Sequence, residues 1–223
     1  MAKTLFITGA SSGIGAATAH AAFAAGWNVG LMARSRGKLE ALAEEMGDRV
    51  LALPGDTTDL AAQERAVAET AEKFGGLDAA FANAGMGVKA PGTEKGDPDE
   101  WRRVVDLNIM GLLYTTRVSL PHLRKSRGHL LLTGSAAGRR HIAGSIYGAT
   151  KWFVHGYAGN MAEEMREWGG RCTVIAPGMV DTPFFDEAKP DKLQAEDVAN
   201  AVMFALEQPQ RASVREVYLM PTN

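Results

Sequence analysis

Short apolar runs alternate with longer alanine-rich stretches of helical period along this whole chain, and that alternation limits the fold more than any single motif. Strands are predicted at Thr4–Thr8, Asn28–Ala33, Val50–Pro54, Leu77–Ala82, His129–Thr133, Cys172–Ala176 and Glu216–Met220. Helices are predicted between them, near Gly13–Ala25, Arg36–Met46, Leu60–Phe74, Pro98–Lys125, Ile146–Trp168 and Ala195–Gln208. Several strands are apolar at consecutive positions, the pattern of a sheet covered on both faces. Strand, helix and strand in succession imply right-handed crossovers and parallel pairing. The expectation is an α/β fold: a doubly wound, Rossmann-type parallel sheet of about seven strands with helices on both faces. Ligands of such a sheet bind beyond the carboxyl ends of its strands. The chain has 223 residues and no repeat, low-complexity block or linker, so it reads as one domain, 1–223. Its one long polar excursion, with two prolines, runs from Pro183 to Leu193.

Composition removes several classes of function. A net charge of −2 argues against a nucleic-acid partner, which would call for a strong positive excess. Apolar runs fall short of the ~18 residues of a membrane span, and Met1–Ile7 lacks a signal-peptide core. Cys172 is the only cysteine, which points to a reducing cytoplasm, and its Arg-Cys-Thr-Val-Ile-Ala setting reads as buried strand. The histidines show no metal-ligand spacing with carboxylates or cysteine, so no metal is expected.

Thr8-Gly9-Ala10-Ser11-Ser12-Gly13-Ile14-Gly15 directly follows the first strand and opens an alanine-rich helix. Glycines there let the backbone turn tightly and approach a pyrophosphate, whose charge the helix amino terminus favours. The expected dinucleotide contacts are Gly9, Ser11, Ser12, Gly13, Ile14 and Gly15. The spacing is T-G-x-x-x-G-x-G, and it resembles the short-chain dehydrogenase/reductase family, in which this variant marks the shorter, single-domain members.

The resemblance extends over nearly the whole chain. Asn83-Ala84-Gly85 matches the family's N-A-G turn beneath the adenosine ribose, and Asn108 matches its catalytic asparagine. Ser135 follows the fifth strand, and Tyr147-Gly148-Ala149-Thr150-Lys151 is the family's Y-x-x-x-K. Pro177, Gly178, Val180 and Thr182 lie in the segment matching its P-G motif, with Thr182 where the family holds the carboxamide. With four tyrosines in the chain, a chance Y-x-x-x-K would arise in roughly one such chain in six, so order and context carry the match. The resemblance implies a catalytic set of Asn108, Ser135, Tyr147 and Lys151, with Tyr147 as general acid/base and Tyr147 and Lys151 also touching the cofactor. Tyr147 and Lys151, four apart, share a helix face, and a nearby ammonium together with the positive nicotinamide favours the phenolate, so a depressed tyrosine pKa is expected. Ser135 would fix the substrate oxygen, and Asn108 would support a water that relays protons from Lys151.

NAD-preferring relatives place an acidic residue at the end of the second strand; here Ala33 stands there with Arg34 beside it. An arginine binds a 2′-phosphate bidentately, so NADP(H) is preferred over NAD(H), unless Arg34 merely solvates a helix start. Ser35 and Lys38 could assist, and Asp56 matches the family residue that accepts the adenine amino group. The resemblance implies a substrate pocket built from Met86–Pro91, Ala136–Ser145 and Thr182–Leu193, the last including a short substrate lid at about 183–193, with Met179, Phe184 and Phe185 as an apolar wall. Arg139, Arg140 and His141 either bind a carboxylate or are simply solvated. Arg124, Lys125 and Arg127 either meet an acidic carrier protein or complement a helix dipole. Trp152 and Phe153 follow the lysine on a helix that pairs subunits in many relatives, which implies a homo-oligomer, dimer or tetramer. The function implied is interconversion of a small carbonyl compound and an alcohol; the alternatives are a 3-oxoacyl-carrier-protein reductase and a non-catalytic redox sensor.

Overall fold

The computed structural model describes residues 2–89 and 92–223. Seven strands form one all-parallel sheet: β1 (Thr4–Thr8), β2 (Asn28–Ala33), β3 (Val50–Pro54), β4 (Ala79–Ala82), β5 (His129–Thr133), β6 (Arg171–Pro177) and β9 (Glu216–Leu219). Their spatial order is β3-β2-β1-β4-β5-β6-β9. A separate two-residue pair, β7 (Val180–Asp181) and β8 (Leu193–Gln194), brackets the polar excursion.

Alternate side chains of each strand enter different cores. Leu5 and Ile7 of β1, Val29 and Leu31 of β2 and Phe81 of β4 pack on one face. That face is covered by α1 (Gly13–Ala24), α2 (Arg36–Met46) and α7 (Ala195–Glu207). Phe6, Met32, Ala80, Leu130 and Leu132 pack on the other, against α3 (Leu60–Phe74), α5 (Leu112–Ser126) and α6 (Ile146–Arg166). All five residues of β1 are buried, which accounts for its unbroken Thr-Leu-Phe-Ile-Thr run.

Two departures from the predicted elements have physical causes. The fourth strand begins at Ala79 instead of Leu77, because the Asp78 carboxylate, not a strand carbonyl, accepts the Thr4 N–H at 2.8 Å. The long helix expected over Pro98–Lys125 is divided into α4 (Pro98–Val105), a π-helical turn at Asp106–Gly111, and α5. The wider turn buries Asn108 and Gly111, and π turns of this kind recur at functional sites. Cys172 is buried in β6 as expected, its thiol pushed up to about 12 by burial. Among the described residues no helix is long and apolar enough to cross a membrane.

His129 opens β5 inside the sheet and is 1% exposed. Its Nε2 lies 2.7 Å from Thr173 Oγ1, while Nδ1 has no partner. Burial first, and then the Arg171 charge, push its pKa down from 6.5 to about 3, so the folded protein holds the ring neutral at pH 7. A depressed histidine contributes stability that is complete above its unfolded pKa and is lost as pH falls from 6.5 towards 3. Between pH 7 and 5 the linkage removes about 2 kcal/mol. Chemical denaturation at the two pH values is expected to show that loss in the protein and a shallower one in His129→Gln; equal losses would remove the linkage.

Candidate active site

The order of strands reverses between β1 and β4, whose chains continue outward in opposite directions and leave a crevice at their carboxyl ends. The glycine loop lies there. Gly9 and Gly13 have φ of 67° and 52°, where a side chain would strain the backbone. Gly15 is needed for closeness: a Cβ on it would come 2.4 Å from the Gly9 carbonyl oxygen. Ser12 caps α1 without using its side chain, leaving that helix end open to a ligand.

Asn83 holds the crevice together. Its Nδ2 donates to the Thr8 carbonyl at 3.0 Å, and its backbone N–H donates to Thr8 Oγ1 at 3.1 Å. Ala84 N–H donates to the same hydroxyl at 3.3 Å, and Thr133 Oγ1 donates to Asn83 Oδ1 at 3.3 Å. Gly85 follows, so that a Cβ on it would lie 3.3 Å from Asn108 Oδ1 and 3.7 Å from Lys151 Nζ. Asn108 itself brackets Met86, accepting its N–H and donating to its carbonyl, each at 2.9 Å, and donates to Thr150 Oγ1 at 3.1 Å.

Ser135, 9% exposed, begins a tight turn at Ala136–Gly138, and its Oγ accepts from the Ala137 N–H at 3.1 Å. Tyr147 and Lys151 rise from the first turns of α6, which Ser145 caps through the Gly148 N–H at 2.9 Å. Lys151 is 4% exposed; its Nζ donates to the Thr133 carbonyl at 2.7 Å and lies 5.7 Å from the centre of the Tyr147 ring. Burial pushes Lys151 down to about 8. Burial likewise raises Tyr147, with the Ser135 hydroxyl pulling the other way. The depressed phenol expected from the four-residue spacing is therefore not a property of the protein alone. Desolvation of both groups outweighs the attraction of a lysine that is itself only weakly held as a cation.

One cavity of about 1110 Å³ brings most of these groups together. Gly9, Ser11, Ser12, Gly13 and Ile14 line it, as do Arg34, Asp56, Asn83, Ala84, Gly85, Ser135, Tyr147, Lys151, Pro177, Gly178, Val180 and Thr182. Of the residues singled out in the sequence, Gly15 and Asn108 stand just behind that wall, Gly15 against Gly9 and Asn108 behind Met86. At one end Arg34 is exposed and makes no ion pair within 4.0 Å among the described residues. Burial would raise the Asp56 pKa, but the Thr58 N–H and hydroxyl and the Arg34 charge together hold it below the ordinary range. At the other end Met179, Phe184 and Phe185 form the expected apolar wall, with the Phe184 ring 5.6 Å from that of Tyr147. Gly178 is fastened to β9 through the Leu219 carbonyl at 2.8 Å, and Thr182 packs against Gly13. The excursion after Thr182 is tied down by Lys189, whose N–H donates to Asp181 Oδ1 at 2.8 Å. Ala90 and Pro91 of the expected pocket loop lie outside the described residues.

Three groups of residues left open by the sequence separate in space. Arg139 pairs with Glu216, His141 stacks on Trp152 at 5.3 Å, and only Arg140 of that trio lines the cavity. Arg124 lies over the Trp168 ring at 5.4 Å and the Arg127 carbonyl accepts from Gln210, which ties this end of α5 into the fold. Trp152 is 44% exposed, whereas Phe153 is not the exposed aromatic expected: it packs against the core and stacks on Tyr157 at 5.6 Å. Thr8 and Thr150 were quoted within motifs, and Thr133 as a strand end, but none was given a role of its own. Their hydroxyls and carbonyls hold Asn83, Lys151 and Asn108, a role that only folding reveals.

A Rossmann sheet carrying this glycine loop, with Ser, Tyr and Lys gathered at its switch point, defines a nicotinamide-dependent oxidoreductase. The chain belongs to the short chain dehydrogenase family, whose sequence pattern matches residues 3–193. It is 36% identical over 225 residues to an uncharacterized oxidoreductase of Staphylococcus aureus, covering 98% of this chain and 97% of that one. Against serine 3-dehydrogenase of Agrobacterium fabrum it is 33% identical over 237 residues, covering 100% and 95%. Among solved structures it resembles an alcohol dehydrogenase of the archaeon Thermococcus sibiricus complexed with 5-hydroxy-NADP, with a TM-score of 0.90, 29% identity and coverage of 100% and 97%.

Because a Cβ at Gly15 meets backbone, Gly15→Ala must open the loop. Its affinity for a reduced nicotinamide dinucleotide, followed by fluorescence titration, is expected to fall at least about tenfold. Gly159→Ala, where nothing lies within 4 Å, should leave it unchanged.

Proposed function

We propose that this protein interconverts a ketone or aldehyde and the corresponding alcohol by hydride transfer, with NADP(H) as its preferred dinucleotide and NAD(H) as the poorer one. The observation that carries this reading is the meeting of Ser135, Tyr147 and Lys151 in the same cavity as the glycine loop. The dinucleotide supplies or receives the hydride. Proton handling and orientation fall to the chain. Ser135 hydrogen-bonds the substrate oxygen beside Tyr147. The Tyr147 phenol, kept protonated by burial, gives its proton to the oxygen as alkoxide charge develops, and takes it back in the reverse direction. Lys151, with its pKa near 8, changes charge readily around neutral pH and passes that proton on. In this reading Asn108 supports the water through which the proton leaves.

Cofactor preference rests on Arg34, an exposed and unpaired guanidinium beside Ala33, where a carboxylate would have repelled a 2′-phosphate. Asp56, held ionised with one oxygen committed to Thr58, keeps the other for the adenine amino group. The apolar wall favours a substrate with an aliphatic or aromatic body, and Arg140 is the guanidinium at that end of the cavity. A 3-oxoacyl thioester is the competing substrate, and a redox sensor without turnover the competing class. The α6 surface around Trp152 is where we expect copies to assemble as a dimer or tetramer in the cytoplasm.

The test is an initial-rate screen with NADPH and NADH against small ketones, aldehydes, oxo acids and an acetoacetyl thioester. Tyr147→Phe is expected to lower kcat by about two to four orders of magnitude while NADPH still binds. Near-normal turnover in that variant would sink the mechanism. Arg34→Ala is expected to cost about 1.5–3 kcal/mol of NADPH affinity and little of NADH affinity. An unchanged NADPH/NADH ratio of kcat/KM would remove the argument for NADP(H).

A further inference from the structure

Helix α6 carries a third polar residue at the same four-residue spacing: Tyr147, Lys151 and then His155. The chemistry proposed above makes no use of it. Its ring lies beneath the Ser135 loop, with Nε2 3.2 Å from the Ser135 carbonyl oxygen and Nδ1 3.5 Å from Glu216 Oε1. The other oxygen of Glu216, at the start of β9, accepts from Arg139, whose guanidinium lies over the Tyr218 ring at 4.9 Å. Glycines on either side of Ser135 make room for the imidazole. A Cβ on Gly134 would come 2.8 Å from Nε2, and one on Gly138 2.6 Å from Cδ2.

A carbonyl can only accept, so Nε2 is the nitrogen that carries hydrogen in this network. The Ser135 carbonyl then has two donors, the Gly138 N–H at 2.9 Å within the turn and the His155 ring from outside it. Only the second ties the turn to the rest of the fold. Burial, together with Arg139 and Lys151, holds His155 below the ordinary histidine range against the pull of Glu216 and the Ser135 carbonyl. The neutral ring leaves Nδ1 as a lone pair towards Glu216, so it is Arg139 that keeps this carboxylate in place.

We propose that His155 is a positioning residue: it anchors the Ser135 carbonyl and thereby aims the Ser135 hydroxyl at the substrate oxygen. The last strand of the sheet holds the far end of the same loop separately, through the pair of Glu216 with Arg139. This rests on the reading that Ser135 binds the substrate oxygen, and misplacing such a group by an ångström is worth roughly a hundredfold in rate.

The experiment compares His155→Leu, His155→Gln and Glu216→Gln with the unaltered protein. It uses the best substrate of the carbonyl panel and measures hydrogen exchange of the amides over residues 135–139. In His155→Leu, kcat is expected to fall roughly tenfold to a hundredfold, with KM for NADPH changed by less than about twofold and faster exchange in the loop. His155→Gln, whose amide N–H reaches the same carbonyl, should recover most of both. Glu216→Gln should show a smaller loss, roughly threefold to tenfold, in the same direction. Unaltered kcat and exchange in His155→Leu would overturn the proposal. So would a loss that His155→Gln does not relieve, or one shared equally by NADPH binding, since either marks mere packing. Should His155→Leu fail to fold, wild-type kcat and exchange in His155→Ala would overturn it as well. If the unaltered protein turns over no member of the panel, the functional reading fails, while the exchange measurement still decides whether His155 holds the loop.

Discussion

Two neighbouring parallel strands that lead the chain in opposite directions cannot close over their own carboxyl ends, and that gap between β1 and β4 must be spanned by side chains. Asn83 spans it. Its amide and backbone fasten the last residue of β1, and its Oδ1 takes the Thr133 hydroxyl at the end of β5. The carbonyl of the same threonine accepts from Lys151. A single run of hydrogen bonds therefore connects the base of the glycine loop to the lysine of α6. The loop that would hold the dinucleotide and the groups that would move the proton share one frame, and neither can shift without loosening the other.

Burial sets the electrostatic character of that frame. Tyr147 and Lys151 pay for their desolvation by moving towards their neutral forms, the tyrosine upward and the lysine to about 8. The uncommitted charge lies elsewhere, at Arg34 on the outer end of the cavity and at Asp56 beside it. Such a division suits a site that binds a fixed anion at its rim and transfers a proton at its centre. Strong fixed charge at the centre would hold one protonation state too firmly for a reversible transfer.

The sheet was legible in the sequence because its strands are buried on both faces. β1, β2, β3 and β5 have the expected bounds, since an unbroken apolar run ends where the polar loop begins. The glycine loop and the Ser, Tyr and Lys positions were legible for a related reason: each needs a particular residue type at a particular offset from a strand end or along a helix. What was hidden depends on contacts between distant segments. Nothing in Pro98–Lys125 marks the extra residue of the π turn that buries Asn108. Arg139, Arg140 and His141 are adjacent in sequence, and only Glu216 and Trp152, far along the chain or across a turn, give them three different surroundings. The spacing of Tyr147 and Lys151 was read, together with the positive nicotinamide, as electrostatic assistance; spacing says nothing about dielectric, and in the protein by itself burial raises the tyrosine.

Rigidity is unevenly shared between the two halves of the cavity. The dinucleotide half is built from strand ends and a helix start, fixed by the backbone ladders of β1, β2 and β4. The half around Phe184 and Ser135, where the proposed substrate would lie, is built from segments outside the sheet: the turn after Ser135 and the excursion bracketed by β7 and β8. Phe184, 43% exposed and resting against Tyr147, is held by its own loop and by contact with Gly87 instead of by any strand. That loop is therefore held apart from the hydrogen bonds that join Thr8, Asn83, Thr133 and Lys151. In the proposed reaction the Ser135 turn is the exception, because it would have to be as exact in position as the sheet while lying beyond it. Support from α6 through His155, and from β9 through the pair of Glu216 with Arg139, reaches this turn where the strand ladders do not.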